Sequence, residues 1–553
     1  MTAFFARDSV GTASAVPVTV DGSPVEAVAG QTVAGVLLAR GQDAWRTTRG
    51  GGRPRGVFCG IGACYDCLVV VNGIPDVRAC QRTVCAGDEI QSQVGAELPR
   101  GGGAGGSAGV SRRADVVVVG AGPAGMAAAL AAADAGASVL LVDAGRTLGG
   151  QFHRQAESEF GVRRKAFVGD RLLSHELITY LPETSVWAVE GMRLWVQSGA
   201  ADAAGRSVFA VDGGSVVLAT GAYDRVLPFP GWDLPGVYTA GAAQALAKGQ
   251  RIAVGRRVVV AGTGPFLLPV AESLVGVGSS VLGLFEANRL STVARGWSSD
   301  PLVAVGKLGE FAGYVRTLAR HRIPYRHGWT VVEAHGTDHV EAVTVARLDP
   351  NWNVVSGSER RIECDAVCVG FGFTPQLELA VAAGCKLTED GLAVVADAEQ
   401  QTTTPGVFAA GELTGIGGAA LSAAEGAIAG AAAARAAGHP TVVDADRPTR
   451  LRRFAGALGR AYPVREGWKG WSSAGTLVCR CEEVCRGEVE GAVGERGVAG
   501  RALRLSARAG LGLCQGRVCS RNVAELLGGS TSMKRPIAVP VRLGDLAEAE
   551  EKL

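Results

Sequence analysis

The sequence contains few of the residues that define several large protein classes. Cysteine makes up 13 of its 553 residues, far below the content of a disulfide-stabilised scaffold. Aromatic residues make up only 6%, and the seven histidines form no spacing with a carboxylate that is typical of a metal or catalytic site. The formal net charge is only +2, from 55 basic and 53 acidic residues, so we expect no nucleic-acid partner.

Long apolar segments are also scarce. The stretch MTAFFARDSV is charged at Arg7 and Asp8 and has no apolar run, so we expect no secretory signal. The stretch from Val116 to Ala133 carries no charge and just reaches the length at which a membrane helix becomes a candidate. Three glycines and a proline within it favour a buried strand, a turn and a packed helix instead. We therefore predict a soluble cytoplasmic protein, and peripheral attachment to the inner face of the membrane stays open.

The stretch ADVVVVGAGPAGMAAALAAADAGASVLLVDAG predicts a strand, a tight turn, a helix and a second strand. Gly120 allows the turn, Gly122 lets backbone amides approach a pyrophosphate, and Gly125 lets the helix pack on the strand. Asp143 ends the second strand, where its carboxylate can hydrogen-bond a ribose hydroxyl. Together these features predict a dinucleotide-binding site of an α/β fold.

A second stretch, RRVVVAGTGPFLLPVAESLVGVGSSVLGLFEAN, repeats this pattern. Gly262 and Gly264 are present, but Leu267 occupies the third glycine position. Glu286 closes the second strand, and a carboxylate there favours NAD over NADP. Two interpretations stay open: a working NAD site, and a Rossmann-like domain kept only for architecture.

Later motifs resemble those of the two-dinucleotide-binding flavoproteins, which include glutathione reductase. VVLATGAYDRVLPFPGW is a strand that ends at Gly221, and TTTPGVFAAGELTG leads to Gly411, Glu412 and a Gly/Ala-rich helix. The resemblance implies FAD in the first site, with Glu412 at the position that contacts the ribityl chain, where the family usually has Asp. It also places LGGQ, which ends at Gln151, beside the flavin. Another adenine nucleotide in this site stays an alternative.

The redox-active CxxC pair of a disulfide reductase does not occur between Ala114 and Asp446. Cys364 and Cys368 lie in CDAVCVG, a strand-like run in which residues four apart are too distant to bond easily. We predict that both are core residues. Electrons from a flavin would therefore leave through another kind of group.

The remaining cysteines form two groups, and the first has the spacing C-x4-C-x2-C-x12-C. Its first three members resemble those of plant-type ferredoxins and predict a 2Fe–2S cluster. Zinc sites prefer paired CxxC motifs, and disulfides conflict with the predicted cytoplasmic setting. Gly60 and Gly62 would let the loop fold closely around the cluster, and Cys85 would be a spare. The predicted ligands are Cys59, Cys64, Cys67 and Cys80.

The second group combines a CxC pair in LVCRCEEVC with a more distant C-x4-C pair in GLCQGRVC. It resembles the small helical 2Fe–2S domain related to bacterioferritin-associated ferredoxin, although a CxC pair can also be incidental. Cys485 would take no part in the site. The predicted ligands are Cys479, Cys481, Cys514 and Cys519.

The order of these parts resembles a fusion of the ferredoxin-like and flavoprotein subunits of the hydrogen cyanide synthase, opine oxidase and bacterial proline or hydroxyproline dehydrogenase family. The heterotetrameric sarcosine oxidase, through its alpha chain, would be a more distant relative. The resemblance implies an α/β flavoprotein of the glutathione-reductase type, with an N-terminal β-grasp ferredoxin domain and a C-terminal helical cluster domain. The predicted segments are the ferredoxin-like domain at 1–98, a Gly-rich linker at 99–113, the FAD-binding domain at 114–250 and 376–445, the inserted NAD-binding-like domain at 251–375, the second cluster domain at 446–530 and an arm at 531–553.

The same resemblance implies a division of labour between subunits. A partner beta subunit with its own FAD would oxidise an amine, and this chain would pass the electrons to a quinone, the respiratory chain or another carrier. An FMN at the subunit interface stays open, and no catalytic residue is assigned. Two other functions stay open: a self-sufficient NADH-dependent reductase, and a docking scaffold with vestigial sites.

Overall fold

The structure is a computed structural model, and it describes residues 15–97, 107–154, 169–302, 306, 308–446, 448–496, 500–529 and 537–547. Residues 99–106 of the predicted Gly-rich linker lie outside these ranges. The described chain forms several sheets in successive segments of the sequence, and apolar residues are buried within and between them.

The N-terminal domain packs one helix against a five-stranded sheet. Its elements are β1 (Ala15–Val20), β2 (Ser23–Val28), α1 (Val33–Ala39), β3 (Arg46–Thr47), β4 (Pro54–Arg55), β5 (Leu68–Val71), β6 (Ile74–Arg78), β7 (Glu89–Gln91) and β8 (Gln93–Val94). The sheet order is β2-β1-β7-β5-β6. Val18 and Val20 of β1 face the core while Thr19 does not, which is the period of two that half-buried strands require. Thr32 caps α1, because its hydroxyl accepts a hydrogen bond from the Gly35 amide at 3.2 Å.

The first nucleotide-binding unit is built on a mixed sheet that starts after the N-terminal domain. Its elements are β9 (Ser107–Ala108), β10 (Arg112–Val119), α2 (Pro123–Asp134), β11 (Val139–Val142), α3 (Gly169–Leu173), β12 (Ile178–Leu181), β13 (Thr184–Glu190), β14 (Arg193–Ser198), β15 (Ser207–Leu218), β16 (Ala222–Asp224), β26 (Val407–Ala409) and a 3₁₀ turn (Gly411–Leu413). The sheet order is β12-β11-β10-β15-β14-β13, and β9 and β26 also pair with β15. The run of valines in β10 is almost wholly buried, as expected for a parallel strand covered on both faces.

Helix α2 packs tightly against α9 (Ala419–Ala436), the Gly/Ala-rich helix that follows Glu412. A Cβ atom at Gly426 would lie 2.0 Å from the carbonyl oxygen of Ala124, and one at Gly430 would lie 2.1 Å from that of Ala128. The small residues of this segment therefore set the short distance between the two helices.

The second nucleotide-binding unit combines an all-parallel sheet with a smaller antiparallel sheet. Its elements are β17 (Val237–Thr239), α4 (Ala240–Gln250), β18 (Arg257–Gly262), α5 (Leu267–Gly276), β19 (Ser280–Glu286), α6 (Leu290–Ser298), α7 (Leu308–Arg320), β20 (Tyr325–His327), β21 (Trp329–His335), β22 (Ala342–Arg347), β23 (Arg360–Glu363) and β24 (Ala366–Gly370). The chain then returns to the first unit, where β25 (Phe373–Pro375) pairs with β16 and α8 (Glu378–Ala382) packs against β13. The parallel sheet has the order β17-β24-β18-β19-β20, and the antiparallel sheet has the order β21-β22-β23. This unit begins earlier than the predicted boundary at residue 251, because β17 pairs with β24 inside its sheet.

The C-terminal segment places short strands and helices around the second group of cysteines. Its elements are α10 (Thr449–Ala461), a 3₁₀ turn (Glu466–Gly470), β27 (Leu477–Cys479), β28 (Val484–Cys485), α11 (Arg486–Arg496), α12 (Gly500–Ala507), α13 (Ser520–Leu526) and α14 (Leu543–Ala547). Helix α10 packs on α6 through the close contact of Gly296 with Ala461. Arg453 of α10 also forms a two-pronged ion pair with Asp300, at 2.6 and 2.9 Å.

The predicted C-terminal arm packs on the body of the protein over its described part, residues 537–547. The Ala538 amide donates to the Trp187 carbonyl at 2.7 Å, and Arg542 donates to the Pro75 carbonyl of the N-terminal domain at 2.8 Å. Of the helices within the described residues, none combines the length and hydropathy that a membrane-spanning segment needs. The apolar stretch at Val116–Ala133 forms part of β10, a turn and part of α2, as predicted.

Candidate functional site

The first group of cysteines lies in two buried segments, with Cys59, Cys64 and Cys67 in the loop before β5 and Cys80 in the turn after β6. The Cys59 thiol interacts with those of Cys64 and Cys80, and the Cys80 thiol also interacts with that of Cys67. All four side chains are buried. The structure therefore brings together the four residues that the spacing predicts as cluster ligands.

Backbone amides of the same loop point at the sulfur atoms. Ala63 and Cys64 each donate to the Cys59 sulfur at 3.3 Å, and Asp66 donates to the Cys64 sulfur at 3.4 Å. Gly60 and Gly62 take positive φ angles of 64° and 76°, which turn the chain around the sulfurs. These features fit a 2Fe–2S cluster, because its potential is set by burial and by hydrogen bonds to sulfur. The predicted spare, Cys85, is exposed.

The second group of cysteines is also gathered in space, although a long stretch of sequence separates its two halves. The Cys481 sulfur lies 3.8 Å from that of Cys479 and 3.6 Å from that of Cys514. The Cys519 thiol interacts with that of Cys479. Cys485 is half-exposed, and its thiol donates to the Gly475 carbonyl instead.

The two groups of cysteines are neighbours. Tyr65 and Leu68 of the first loop form one small buried apolar cluster with Cys514, and Cys481 packs against it. Glu483, which follows Cys481 closely, accepts hydrogen bonds from Thr48 at 2.7 Å and from the Gly51 amide at 2.5 Å. The C-terminal cysteine segment is thus bound to the N-terminal domain rather than held apart from it.

The predicted dinucleotide turn lies between β10 and α2. Gly122 caps α2 and Pro123 begins it, so the free amides of the first turn face the space beyond Gly122. Asp143 accepts hydrogen bonds from the amides of Ala121 at 2.5 Å and Gly145 at 2.6 Å. Its carboxylate is therefore held at the edge of the site by the turn itself.

Glu412 stands just before the second helix that faces this space. Its carboxylate accepts from the Gly418 amide at 2.8 Å and from the Ser422 hydroxyl at 3.4 Å. It also lines the cavity, as do Gln151 and Gly221. Gly411 lies behind the cavity surface, where a Cβ atom would lie 2.9 Å from the Ala124 side chain.

In the second nucleotide-binding unit, Glu286 is fully buried. Its carboxylate accepts hydrogen bonds from the Thr263 hydroxyl at 2.6 Å, the Gly264 amide at 2.9 Å and the Asn288 amide at 2.8 Å. Three donors of its own turn therefore occupy the carboxylate that was predicted to contact a ribose. Ribose binding by Glu286 stays a prediction.

The burial of Glu286 predicts a pH dependence of stability. Burial raises the pKa of Glu286 to about 7, against the lowering effect of its hydrogen bonds. Between the ordinary pKa of 4.5 and about 7, the folded chain binds more protons than the unfolded chain, so this group's stabilising contribution falls as pH rises. The full change is about 3 kcal/mol. We expect Glu286→Gln to lack this fall. The melting temperature of the variant, relative to that of the wild type, should therefore rise from about pH 5 to about pH 8. If the melting temperatures of the wild type and of Glu286→Gln changed in parallel with pH, the assignment of this pH dependence to Glu286 would be wrong.

One cavity of about 1600 Å³ joins the two nucleotide turns and the first cysteine loop. Ile61, Gly62 and Tyr65 of the cysteine loop line it together with residues of both nucleotide-binding units. The predicted nucleotide-site residues that line it are Gly120, Gly122, Asp143, Gln151, Gly221, Glu412 and Gly264. Those that do not are Gly125, Gly411, Gly262 and Glu286, which have packing or hydrogen-bonding roles behind it.

Sequence reasoning did not single out other polar groups on the cavity surface. Asp224 accepts from the Thr239 hydroxyl at 2.6 Å, and burial raises its pKa to about 6. Arg517 reaches the cavity from the second cysteine group and pairs with Glu378 at 2.9 Å. Its position within CQGRVC could have identified Arg517 from the sequence, because a charged residue inside a buried cysteine motif needs a partner.

Two cysteines outside both groups lie in the core. Cys364 and Cys368 are buried free thiols, as predicted, and burial raises the pKa of Cys364 to about 12.

Residues 114–438 match the pyridine nucleotide-disulphide oxidoreductase family. Residues 13–95 match a 2Fe-2S iron-sulfur cluster binding domain.

Curated relatives align over most of the chain. The HcnB subunit of hydrogen cyanide synthase from Pseudomonas protegens is 31% identical, over 76% of this chain and 92% of its own length. An opine oxidase subunit of Rhizobium meliloti is 30% identical, over 78% and 87%. The alpha chain of sarcosine oxidase from Corynebacterium sp. strain P-1 is 32% identical, over 77% of this chain but 44% of its own length.

Among solved structures, L-proline dehydrogenase from P. horikoshii is similar along the whole chain. The TM-score is 0.69, with 99% of this chain and 100% of that chain covered, at 21% sequence identity. This likeness shows a shared fold, and the sequence matches confirm the predicted family. The chain therefore belongs to the pyridine nucleotide-disulphide oxidoreductase family, as an FAD-dependent flavoprotein fused to a 2Fe–2S domain and homologous to subunits of hydrogen cyanide synthase and opine oxidase.

Proposed function

We propose that this chain is the electron-transferring subunit of a heteromeric dehydrogenase or oxidase that acts on an amino acid, hydroxyproline or an opine. A partner flavoprotein with its own FAD would oxidise the amine, and this chain would deliver the electrons to an acceptor. The observation that carries the proposal is the shared cavity, which has the first dinucleotide turn and the first cysteine loop on one continuous surface.

The second group of cysteines is proposed to bind a second 2Fe–2S cluster. Its four thiols are in contact, three of them are buried, and a Cβ atom at Gly512 would lie 2.5 Å from the Cys481 sulfur. The backbone at Gly512 thus lies close against the Cys481 sulfur. Four thiols from one compact segment are the donor set that such a cluster uses.

The residues of the chain have defined tasks in this proposal. Bound FAD and 2Fe–2S clusters supply two-electron and one-electron chemistry, respectively. The amides of Ala63, Cys64 and Asp66 stabilise negative charge on the first sulfurs. The first turn of α2 and the carboxylate of Asp143 would hold the dinucleotide.

The partner flavoprotein is inferred from the relatives. The three curated relatives described above are named as components of hydrogen cyanide synthase, opine oxidase and sarcosine oxidase. Sarcosine and opines are both amines, which supports an amine as the electron donor of the proposed complex. Asp224 and Arg517 line the cavity, but each is bound to other protein groups, so neither is assigned as a base or a substrate clamp.

A second candidate is an NADH-dependent reductase that needs no partner. One observation favours it: Gly264 of the second nucleotide turn lines the same cavity as the first nucleotide turn. Against it, the carboxylate of Glu286 is bound by three groups of its own turn. Under this alternative, anaerobic NADH would bleach the flavin of the purified chain rapidly.

Native co-purification tests the proposal. We expect an affinity-tagged chain from its own cells to elute with a second flavoprotein and with about four iron atoms per chain. The complex should reduce a dye with proline, hydroxyproline, sarcosine or an opine, whereas the isolated chain should not. Cys479→Ser should lower the iron by about half, and Cys485→Ser is its matched control. Amine oxidation by the chain alone, or rapid bleaching by NADH, would contradict the proposal.

A further inference from the structure

A buried ion pair joins the two groups of cysteines. Asp66 lies between Cys64 and Cys67, and Arg480 lies between Cys479 and Cys481. The Arg480 Nε atom donates to the Asp66 carboxylate at 2.7 Å, and the two side chains are only 5% and 2% exposed. One charged residue inside each cysteine motif therefore binds its counterpart in the other.

Aromatic groups hold the guanidinium of Arg480 in place. It lies 3.9 Å from the ring centre of Phe58, the residue just before Cys59, and 5.1 Å from that of Trp232. Arg480 also donates to the Trp232 carbonyl, and the Trp232 indole donates to the Leu477 carbonyl at 2.7 Å. Phe58 belongs to the first cysteine segment and Trp232 to the turn before β17, so the position of Arg480 depends on both.

Other charges near the pair are compensated. Arg55 is buried, and its guanidinium lies 3.3 Å from the carboxylate of Asp233. Glu483 lies 3.5 Å from Arg53. Removal of one member of the Asp66–Arg480 pair would therefore leave the other without its ion-pair partner in a buried region between the two cysteine groups.

A buried ion pair is weak support for stability by itself, because desolvation offsets much of the attraction. Its placement between two redox sites suggests another role. The reduced form of an iron–sulfur cluster carries more negative charge than the oxidised form, so a nearby cation favours reduction and a nearby anion opposes it. Burial strengthens both effects because water screens them less.

We propose that the Asp66–Arg480 pair is a positioning element that fixes the two cysteine loops against each other and sets the reduction potentials of both clusters together. This inference rests on the proposed function, in particular on a second cluster. It predicts that charge changes at either residue shift both potentials, and that the two residues have effects of opposite sign.

The test is a redox titration of the purified full-length chain, followed by electron paramagnetic resonance. Arg480→Met leaves Asp66 unpaired, so the ratio of reduced to oxidised cluster at a fixed potential should fall about tenfold at both sites, which is about 59 mV for a one-electron couple. Asp66→Asn leaves Arg480 unpaired and should raise that ratio at both sites. The double variant should return close to the wild type.

Two further variants separate charge from structure. Arg480→Lys loses the planar fork of the guanidinium but keeps the positive charge, so its potentials should stay near the wild-type values. Arg453→Met removes the Asp300 ion pair between α10 and the end of α6 and should change neither potential. If Arg480→Met does not fold, Asp66→Asn and Arg480→Lys still decide the question.

The outcomes distinguish this inference from the proposed function. Unchanged potentials, shifts of the same sign in Arg480→Met and Asp66→Asn, or a shift at only one cluster would overturn the role of the ion pair. A wild-type chain with only about two iron atoms would overturn the second cluster, and with it the proposed function as stated.

Discussion

Replacement of Cys59 by serine should remove about half of the iron from the purified chain and leave its FAD content unchanged. Cys59 is central to the first group, because its sulfur contacts Cys64 and Cys80 and accepts two amide hydrogen bonds at 3.3 Å. A serine hydroxyl is a poor substitute for a thiolate ligand and would weaken those hydrogen bonds. Iron analysis, FAD absorbance and the paramagnetic signal of the reduced protein measure the result.

Cys85→Ser is the matched control for this change. Cys85 belongs to the same domain but is exposed, unlike the four thiols of the group. It should keep full iron and full FAD. The turn around Gly122 and Asp143 lies in a different unit, which is why FAD should survive the loss of the cluster. Loss of FAD together with iron in Cys59→Ser would show instead that the cluster maintains the fold around the cavity.

The second prediction concerns two glycines of the dinucleotide turn. Substitution of Gly122 should lower FAD affinity, whereas substitution of Gly125 should lower stability. At Gly122, φ is −74° and a Cβ atom would have no neighbour within 4 Å, so Gly122→Ala should fold normally. The added methyl group would occupy the surface that a pyrophosphate approaches. We therefore expect FAD affinity to fall about tenfold or more, or about 1.4 kcal/mol, at an unchanged melting temperature of the apoprotein.

At Gly125 the substitution should disturb the fold itself rather than only FAD binding. A Cβ atom there would lie 1.6 Å from the Gly120 carbonyl oxygen, behind the cavity surface. Gly125→Ala must push α2 away from β10, and overpacking of this kind costs about 1–3 kcal/mol or more. We expect a lower melting temperature even without FAD. Equal melting behaviour of the two variants, or normal FAD binding by Gly122→Ala, would contradict this division of roles.

The two turns differ in how the third glycine position is filled. The first unit keeps Gly125 beneath the Gly120 carbonyl, whereas the second unit places the buried Leu267 at the start of α5. The carboxylates at the strand ends differ as well: Asp143 lines the cavity, and Glu286 is buried away from it. These differences support a dinucleotide in the first unit more strongly than in the second.

Local sequence by itself determined the modules of this protein. The spacing of Gly120, Gly122 and Gly125 predicted the first dinucleotide turn, and four cysteines at ferredoxin-like spacing predicted the first cluster loop. Such features are readable because a turn or a metal-binding loop is built from residues close together in the chain, with strict steric demands at each position.

Tertiary structure decided how these modules relate to one another. It placed the first cysteine loop on the same cavity as the dinucleotide turn, joined Asp66 to Arg480 from opposite ends of the sequence, and turned Glu286 inward onto its own loop. It also showed that the parallel sheet of the second unit includes a strand that begins at Val237. None of these outcomes follows from spacing along the chain, because each depends on which buried groups find a partner when separate segments pack together.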